Sequence, residues 1–565
     1  MFTIAPTRRR AVAALAWITV SMATVLNAPT ANAQPADDLA KTIDATIAPH
    51  FKPDEPGAAV IVVKDGKTIF RKAYGTANIE KGVALDPQMP FRLGSITKQF
   101  TATGILMLAE QGKLAVTDDL TRYLPDYPTH GKKITLEHLL THTSGIRSYT
   151  DMPGFGAIMQ KDMTVQQMID FFKNEPLQFE PGERYAYSNS GYFLLGAIIE
   201  KVSGMSYAAF MSKHIFEPLG MNDTAYEGHE RTAARRVEGY ARGKNGFFPA
   251  AAISMTQPYA AGALISTVDD LARWDAAIRE GKLLTRASWE KAFTPFKLNN
   301  GQTTAYGYGW SLRKLRGHAV IDHGGGINGF VTHAMRLPND NLYIAVLMNH
   351  NGREPGPNYV ADEIAAIAIG KPYPVLKAIA LDARTLDQYE GTYRVDEKSN
   401  RVVTRIGDQL FLQRGASKIP MQPYAENEFF LPNVSFTRYR FIKDETGKVT
   451  QMKILLNDET EEINPRIGDK PAERKSIALA PERFDRYVGE YQFSPTFSIV
   501  VSRMGERFLT QATGQGAIEI FAENESTFFT KVVDAQLQFE KDADGNVTQL
   551  VLTQNGRRNI ARKIR

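Results

Sequence analysis

Three short segments hold residue types able to do chemistry together. The first is S-x-x-K, a hydroxyl and an amine three residues apart, found at Ser95/Lys98, Ser288/Lys291 and Ser311/Lys314. On a helix, residues three apart share a face and the amine reaches the hydroxyl. On a strand they point to opposite sides. Ser311 lies in Gly309-Trp310-Ser311-Leu312, which reads as strand, and Ser288 sits at a charged, exposed helix start. Only Ser95 follows a tight Leu93-Gly94 turn and opens a strongly apolar helix, where Lys98 is expected half-buried. Burial lowers an amine's pKa from about 10.4. A neutral amine can take the proton of a serine nucleophile. The plainer alternative is a Ser95 N-cap with Lys98 solvated on the first turn.

The second segment, Pro181 to Asn189, is a turn running into a helix and presents Tyr187 and Asn189 two apart. A phenol can relay a proton and an amide can hold a substrate carbonyl; packing and capping are the alternatives. The third, Asp322-His323-Gly324-Gly325-Gly326, stands just before an expected strand. Three glycines let a backbone approach a substrate closely. An N–H there, paired with that of Ser95, could form an oxyanion hole. Taken alone, the glycine run reads as a loop.

These segments need elements to hold them. Val60–Val63 and Thr68–Tyr74 flank Asp65-Gly66, a hairpin signal. A helix is expected from Ser95 to about Glu110, with further helices at 164–173, 191–202, 205–215 and 268–280. Strands are expected at 306–313, 329–336 and 342–349. An early hairpin joined by late strands, with helices between, gives an α+β fold built on an antiparallel sheet flanked by helices. Gly370 to Pro374 reads as a domain boundary. Beyond it, Tyr389-Glu390-Gly391-Thr392-Tyr393 returns 98 positions on as Tyr487-Val488-Gly489-Glu490-Tyr491, and Phe441, Asp444 and Gly447 return as Phe539, Asp542 and Gly545. This repeat predicts two small antiparallel β barrels, at 376–470 and 478–565, after a first domain at 34–372.

Composition agrees with a soluble globular chain of several domains: 565 residues, 43% apolar and 23% charged. A net charge of +5 over this length gives no footprint for nucleic acid. There are no cysteines, which excludes disulfides, thiolate metal sites and a cysteine nucleophile. Arg8–Arg10, the apolar run Ala11–Leu26 and Ala31-Asn32-Ala33 have the layout of a signal peptide spanning 1–33. The expected product is exported, periplasmic or secreted, without membrane insertion once the signal is removed.

Ser95-Ile96-Thr97-Lys98, Tyr187-Ser188-Asn189 and His323-Gly324-Gly325 follow one another in the order and rough spacing of the penicillin-recognising serine hydrolases. The chain resembles their class C β-lactamase-like branch, with its D-aminopeptidases, esterases and D-alanyl-D-alanine carboxypeptidases. Leu139–Gly145 and Tyr306–Trp310 also look like that branch. The resemblance implies acyl transfer from Ser95, with Lys98 and Tyr187 sharing the proton work. Asn189, His323, Gly324 and Gly325 would bind substrate, and the N–H groups of Ser95 and Gly326 would hold the oxyanion. It implies a small-molecule or peptide substrate and no metal or cofactor, and leaves oligomeric state open. Lys-Thr-Gly is usual in the third motif of true β-lactamases, and here it is replaced by His323-Gly324-Gly325. That change points to an aminopeptidase or esterase; the alternatives are a β-lactamase or carboxypeptidase, or a non-catalytic sensor using the barrels. The serial architecture is similar to D-aminopeptidase, which suggests a barrel loop reaching over the active site.

Other signals carry less. His138 and His142 lie four apart but lack a third metal ligand. Ser206 reads as a helix cap, and Phe429, Phe430, Phe528 and Phe529 as barrel core.

Overall fold

The computed structural model describes residues 36–564 except 153, 229–235, 244, 353, 397–398, 415–416, 470–474, 495–496, 514–516, 531–534 and 555–556. The segment read as a signal peptide, 1–33, lies outside the described residues. Strand β1 (Ala58–Lys64) is almost wholly apolar and buried on both faces, the pattern of a central strand covered on each side. The Asp65-Gly66 turn, with φ of 50° and 76°, returns the chain into β2 (Lys67–Tyr74). Four late strands complete the sheet: β3 (Ser311–Leu315), β4 (His318–Ile327), β5 (Phe330–Leu337) and β6 (Leu342–Met348). Their order is β3-β4-β5-β6-β1-β2, and every pairing is antiparallel.

The alternation of β1 divides the core. Ala58, Val60 and Val62 face α1 (Ala36–Ile47) and α5 (Pro357–Ala368). Ala59, Ile61 and Val63 face a larger helical layer containing α2 (Thr97–Glu110), α3 (Asn189–Ser203) and α4 (Val268–Arg279). Helix α2 lies within this layer and is buried over nearly its whole circumference, as befits an interior helix. Its polar side chains are tied down. Thr101 donates to the Ala260 carbonyl at 2.7 Å, and Gln99 accepts from the Trp274 indole at 3.1 Å. Among the described residues no single helix is long and apolar enough to cross a membrane.

Three expectations are corrected. The strand expected at 306–313 begins only at Ser311. The helix expected at 205–215 is α-helical over Tyr207–Met211 and then widens into a π turn at Ser212–Phe216. The glycine run of 324–326 is not a loop before a strand; it is the second half of β4. Glycine has little strand preference of its own, so pattern reading misses a strand that only its neighbours enforce.

After α5 the chain forms two closed eight-stranded barrels, the first from Gly391–Arg394 to Glu461–Gly468 and the second from Gly489–Ser494 to Arg557–Lys563. The repeat is visible in their bonding: Tyr393 donates to the Tyr389 carbonyl and Tyr491 to the Tyr487 carbonyl, each at 2.8 Å. Phe429 and Phe528 lie in the barrel cores, whereas Phe430 and Phe529, next along their strands, lie outside those clusters, and Phe430 lines a cavity of about 600 Å³ between the first barrel and the first domain. There Phe436 stacks between Tyr359 (4.1 Å) and Tyr373 (3.7 Å). Arg316, in the β3–β4 turn, pairs with Glu459 at 3.2 Å. The Arg316 contact lies at the opposite end of β4 from its glycines. The residue 98 positions after Phe436 is Asp534, so the docking aromatic belongs to the first copy alone. Phe436→Ala is expected to weaken docking by about 2 kcal/mol. Faster proteolysis within 370–380, at unchanged turnover, is the measurement; an unaltered cleavage rate removes the stack from the account.

Candidate active site

The N-terminus of α2 is preceded by a 3₁₀ turn, Gly94–Ile96, that presents Ser95, only partly buried. One turn on, Lys98 is fully buried, deeper than the half-burial expected from sequence. Its Nζ lies 2.9 Å from Ser95 Oγ and donates to Asn189 Oδ1 and to the Ala261 carbonyl, each at 2.8 Å. Burial pushes this amine well below the usual lysine range. Tyr187 lies with its ring centroid 4.8 Å from Lys98 Nζ. Burial pushes its phenol above the usual range, and a hydrogen bond with Ser95 pulls it partly back. The structure therefore brings Ser95, Lys98, Tyr187 and Asn189 together.

A template segment holds the Tyr187–Asn189 backbone. Asn189 N–H donates to Ser148 Oγ at 3.0 Å, and Ser190 Oγ donates to the Arg147 carbonyl at 2.7 Å. The Ala186 and Gly182 N–H groups donate to the carbonyls of His142 and Thr143 at 2.9 and 2.8 Å. Asn189 Nδ2 reaches Thr150 Oγ1 at 3.3 Å, which leaves its oxygen for Lys98. The loop at Tyr306–Trp310 presses on α2 from the other side. Gly309 (φ 83°) comes so close that a Cβ there would stand 2.8 Å from the Lys98 carbonyl oxygen.

Strand β4 forms the facing wall. Strand β3 pairs with it only as far as Asp322, and β4 runs on to Ile327. The stretch from His323 onward therefore passes the 3₁₀ turn beyond the end of β3. Gly325 packs so tightly there that a Cβ would overlap the Leu93 carbonyl and the Thr332 hydroxyl, whereas Gly326 faces open space. Gly325→Ala is accordingly expected to destabilise the protein by about 3 kcal/mol or more, with Gly326→Ala folding normally; equal melting temperatures for the two would contradict this packing. Gly324 has room for a Cβ, its nearest neighbours standing at 3.6 Å.

His323 is buried, and both its nitrogens are engaged: Nδ1 donates to the Gly324 carbonyl at 2.6 Å, and Nε2 accepts from the Tyr306 hydroxyl at 2.8 Å. Burial, helped by Lys98, pushes the imidazole down to about 4, so it is neutral at pH 7. Behind it, on the other face of the sheet, Asp322 holds Arg313 at 2.5 Å, and Arg313 holds Asp362 of α5 at 2.6 Å. Burial raises the Asp322 carboxyl, but His333 and Arg313 outweigh it and hold the group at about 2.

Sequence reasoning did not single out Ala261, Ser148 or Thr150, and it gave Tyr306 no role. A carbonyl such as that of Ala261 leaves no side-chain signature. Ser148 and Thr150 follow the Leu139–Gly145 motif closely, and that adjacency was the available signal. The two rejected S-x-x-K pairs lie elsewhere. Ser288 is half-buried on a surface helix, and Ser311 starts β3. Ser206 caps the helix at Tyr207–Met211 by accepting from Ala209 N–H at 3.2 Å. His138 Nδ1 accepts from Thr135 N–H in a helix capping box, a use separate from any metal. Among the described residues no group of three or more His, Cys, Asp or Glu is arranged to hold a metal ion.

The arrangement can take a proton from a serine and stabilise charge opposite it, and comparison with known proteins points the same way. A family model described as Beta-lactamase matches residues 39–369, and one described as Domain of unknown function (DUF3471) matches 376–467 and again 473–561. Penicillin-binding protein 4* of Bacillus subtilis (strain 168) is 32% identical over 400 residues, 66% of this chain and 88% of its own. D-aminopeptidase of Gluconobacter oxydans (strain 621H) is 31% identical over 442 residues, 77% of each chain. Among solved structures, the octameric penicillin-binding protein homologue from Pyrococcus abyssi matches with 28% identity and a TM-score of 0.54, covering 76% of this chain and 100% of that one. The D-amino acid amidase from Ochrobactrum anthropi SV3 complexed with L-phenylalanine amide matches with 25% identity and a TM-score of 0.52, covering 59% and 99%.

Proposed function

The chain belongs to the beta-lactamase family, and from that premise we propose that this serine hydrolase cleaves amide or ester bonds of small D-amino-acid or peptide-like compounds through an acyl-enzyme on Ser95. One observation carries the reading. Asn189 Oδ1 and the Ala261 carbonyl can only accept, so a neutral Lys98 directs its two N–H groups to them. Its lone pair is then left at the remaining tetrahedral position, 2.9 Å from Ser95 Oγ. Burial favours that neutral form.

On this reading Ser95 gives its proton to Lys98 as Oγ bonds to the substrate carbonyl carbon. The carbonyl electron pair moves onto oxygen, which the N–H groups of Ser95 and Gly326 receive. Lys98 returns the proton through Tyr187, which burial keeps protonated, to the departing amine or alcohol. Water then attacks the acyl carbon, again giving its proton to Lys98, and Ser95 leaves with it. Asn189 orients Lys98 and the acyl amide. His323, Gly324 and Gly325 shape the wall against which the acyl group lies.

Three features support the substrate class. The edge of β4 beyond Asp322 offers backbone groups to an extended, peptide-like compound. His323 is neutral and turned inward, so it supplies no fixed positive charge for a substrate carboxylate. Exposed Asp151 instead accepts from Thr150, the residue that holds Asn189, at 3.4 Å; a carboxylate there suits the ammonium of an aminoacyl group. The likeness to D-aminopeptidase and D-amino acid amidase runs in the same direction. The N-terminal pattern supports export to the periplasm or beyond the cell. A panel of D- and L-aminoacyl anilides, p-nitrophenyl esters and one cephalosporin tests the proposal. D-aminoacyl anilides or esters are the expected substrates, and efficient cephalosporin turnover would replace this reading with a β-lactamase.

A further inference from the structure

We infer that His142 is a positioning residue for this site: a neutral imidazole whose Nδ1 splints the Tyr187–Ser188–Asn189 backbone and so holds the phenol and the amide against Lys98 and Ser95. The inference rests on the reading of Ser95 as nucleophile.

His142 is 1% exposed and adopts φ 59°, a left-handed conformation that costs a non-glycine residue about 1 kcal/mol. Its two acceptors serve one neighbouring segment. The backbone carbonyl takes the N–H of Ala186 at 2.9 Å, and ring Nδ1 takes the N–H of Ser188 at 3.1 Å. In a regular ladder both bonds would go to backbone oxygens; here the left-handed turn carries the backbone away, and the side chain replaces it. The same ring lies 4.2 Å from the Tyr187 ring at 36° and 4.8 Å from the ring of Tyr306, the residue that holds His323. One side chain thus touches both walls of the cleft.

The tautomer follows from the bonding. A ring nitrogen that accepts from an N–H carries no proton, so the neutral ring has its proton on Nε2. A second proton on Nδ1 would set two donors head-on. Burial above all pushes the imidazole well below the usual histidine range. Nε2 is buried without a hydrogen-bond partner among the described residues. An unsatisfied buried donor costs about 1–3 kcal/mol. A phenylalanine would fill the same space without that cost, so packing alone does not account for an imidazole here; an acceptor at Nδ1 does.

Two substitutions separate acceptor from ring. His142→Asn keeps an oxygen near the Nδ1 position and suits a left-handed φ. His142→Phe keeps the ring and loses the acceptor. Misplacement by about 1 Å costs on the order of a hundredfold in rate. The phenylalanine variant should therefore label with a fluorophosphonate about a hundred times more slowly at Ser95, and lose kcat on a p-nitrophenyl ester with KM little moved. The asparagine variant should stay within about tenfold of the original protein by the same reasoning. A folded phenylalanine variant that labels at the original rate overturns the inference. So does an asparagine variant that is slowed more than about a hundredfold, and that variant decides if the phenylalanine protein does not fold. Histidine ¹⁵N–¹H correlation spectra of the unaltered chain at pH 7 give a readout independent of turnover. A proton on Nε2 with an accepting Nδ1 is expected; a proton on Nδ1 overturns the role. Should the unaltered chain not label at all, the reading of Ser95 falls, and the spectrum still decides His142.

Discussion

Ser95→Ala is expected to abolish fluorophosphonate labelling and to lower turnover of any acyl substrate by about 10⁴-fold or more, the scale at which a covalent nucleophile acts with its base as a unit. Ser95 is partly exposed and its side chain is small, so the fold should not suffer: the melting temperature should change little, and substrate binding should persist because the β4 edge and Asn189 remain. The loss should therefore fall on kcat. The result that counts against the assignment is retained labelling at another residue. The serines Ser148 and Ser188 also stand near Asn189, but both are buried and engaged: Ser148 accepts from the Asn189 N–H, and Ser188 accepts from the Gly191 N–H. Mass-spectrometric mapping of the labelled peptide discriminates among the three.

Lys98→Met is expected to lose about 10³-fold in turnover, within the range that general-base catalysis supplies, while making the folded protein more stable. The two effects have one cause. Lys98 is fully buried, and its folded pKa is depressed. Below the unfolded lysine value, the unfolded chain binds a proton that the folded site accepts only at a cost, so stability rises with pH over that interval. The penalty is greatest at pH values below the folded pKa. It shrinks through the interval and vanishes above about 10.4. Methionine fills a similar volume without any charge, so its advantage in melting temperature should be largest at neutral and acidic pH and should fade toward pH 10 and above. A methionine variant less stable than the original at pH 7 would mean that the three hydrogen bonds of Nζ outweigh its desolvation. Lys98→Arg should be inactive as well, because a guanidinium stays charged and offers no lone pair.

Much of the architecture was legible in the sequence because it rests on local or periodic signals. The Asp65-Gly66 hairpin follows from turn chemistry, and the helix after Ser95 from its apolar run. The two barrels follow from a repeat of fixed spacing, since residues such as Tyr389/Tyr487 and Phe441/Phe539 keep the same places in both copies. Strand β4 was not legible. Its second half is glycine, which has no side chain to show alternation, and it is a strand because β5 pairs with it and Leu93 crosses it closely. The degree to which Lys98 is buried was not legible either. Its cover comes from Asn189, Ala261 and the Tyr306–Trp310 loop, between about 90 and 210 residues further along the chain.

The amino-acid order by itself therefore determined which groups are present and which of them share a helical face: a hydroxyl and an amine one turn apart, a phenol and an amide two residues apart, and a flexible glycine stretch. Only the tertiary structure decided their state. A lysine is a base or a cation according to the solvent it has lost and the acceptors that replace water, and both are supplied by chain segments far from it in sequence. The same holds for His323, whose neutrality and inward turn come from burial and from Tyr306 rather than from its place beside three glycines.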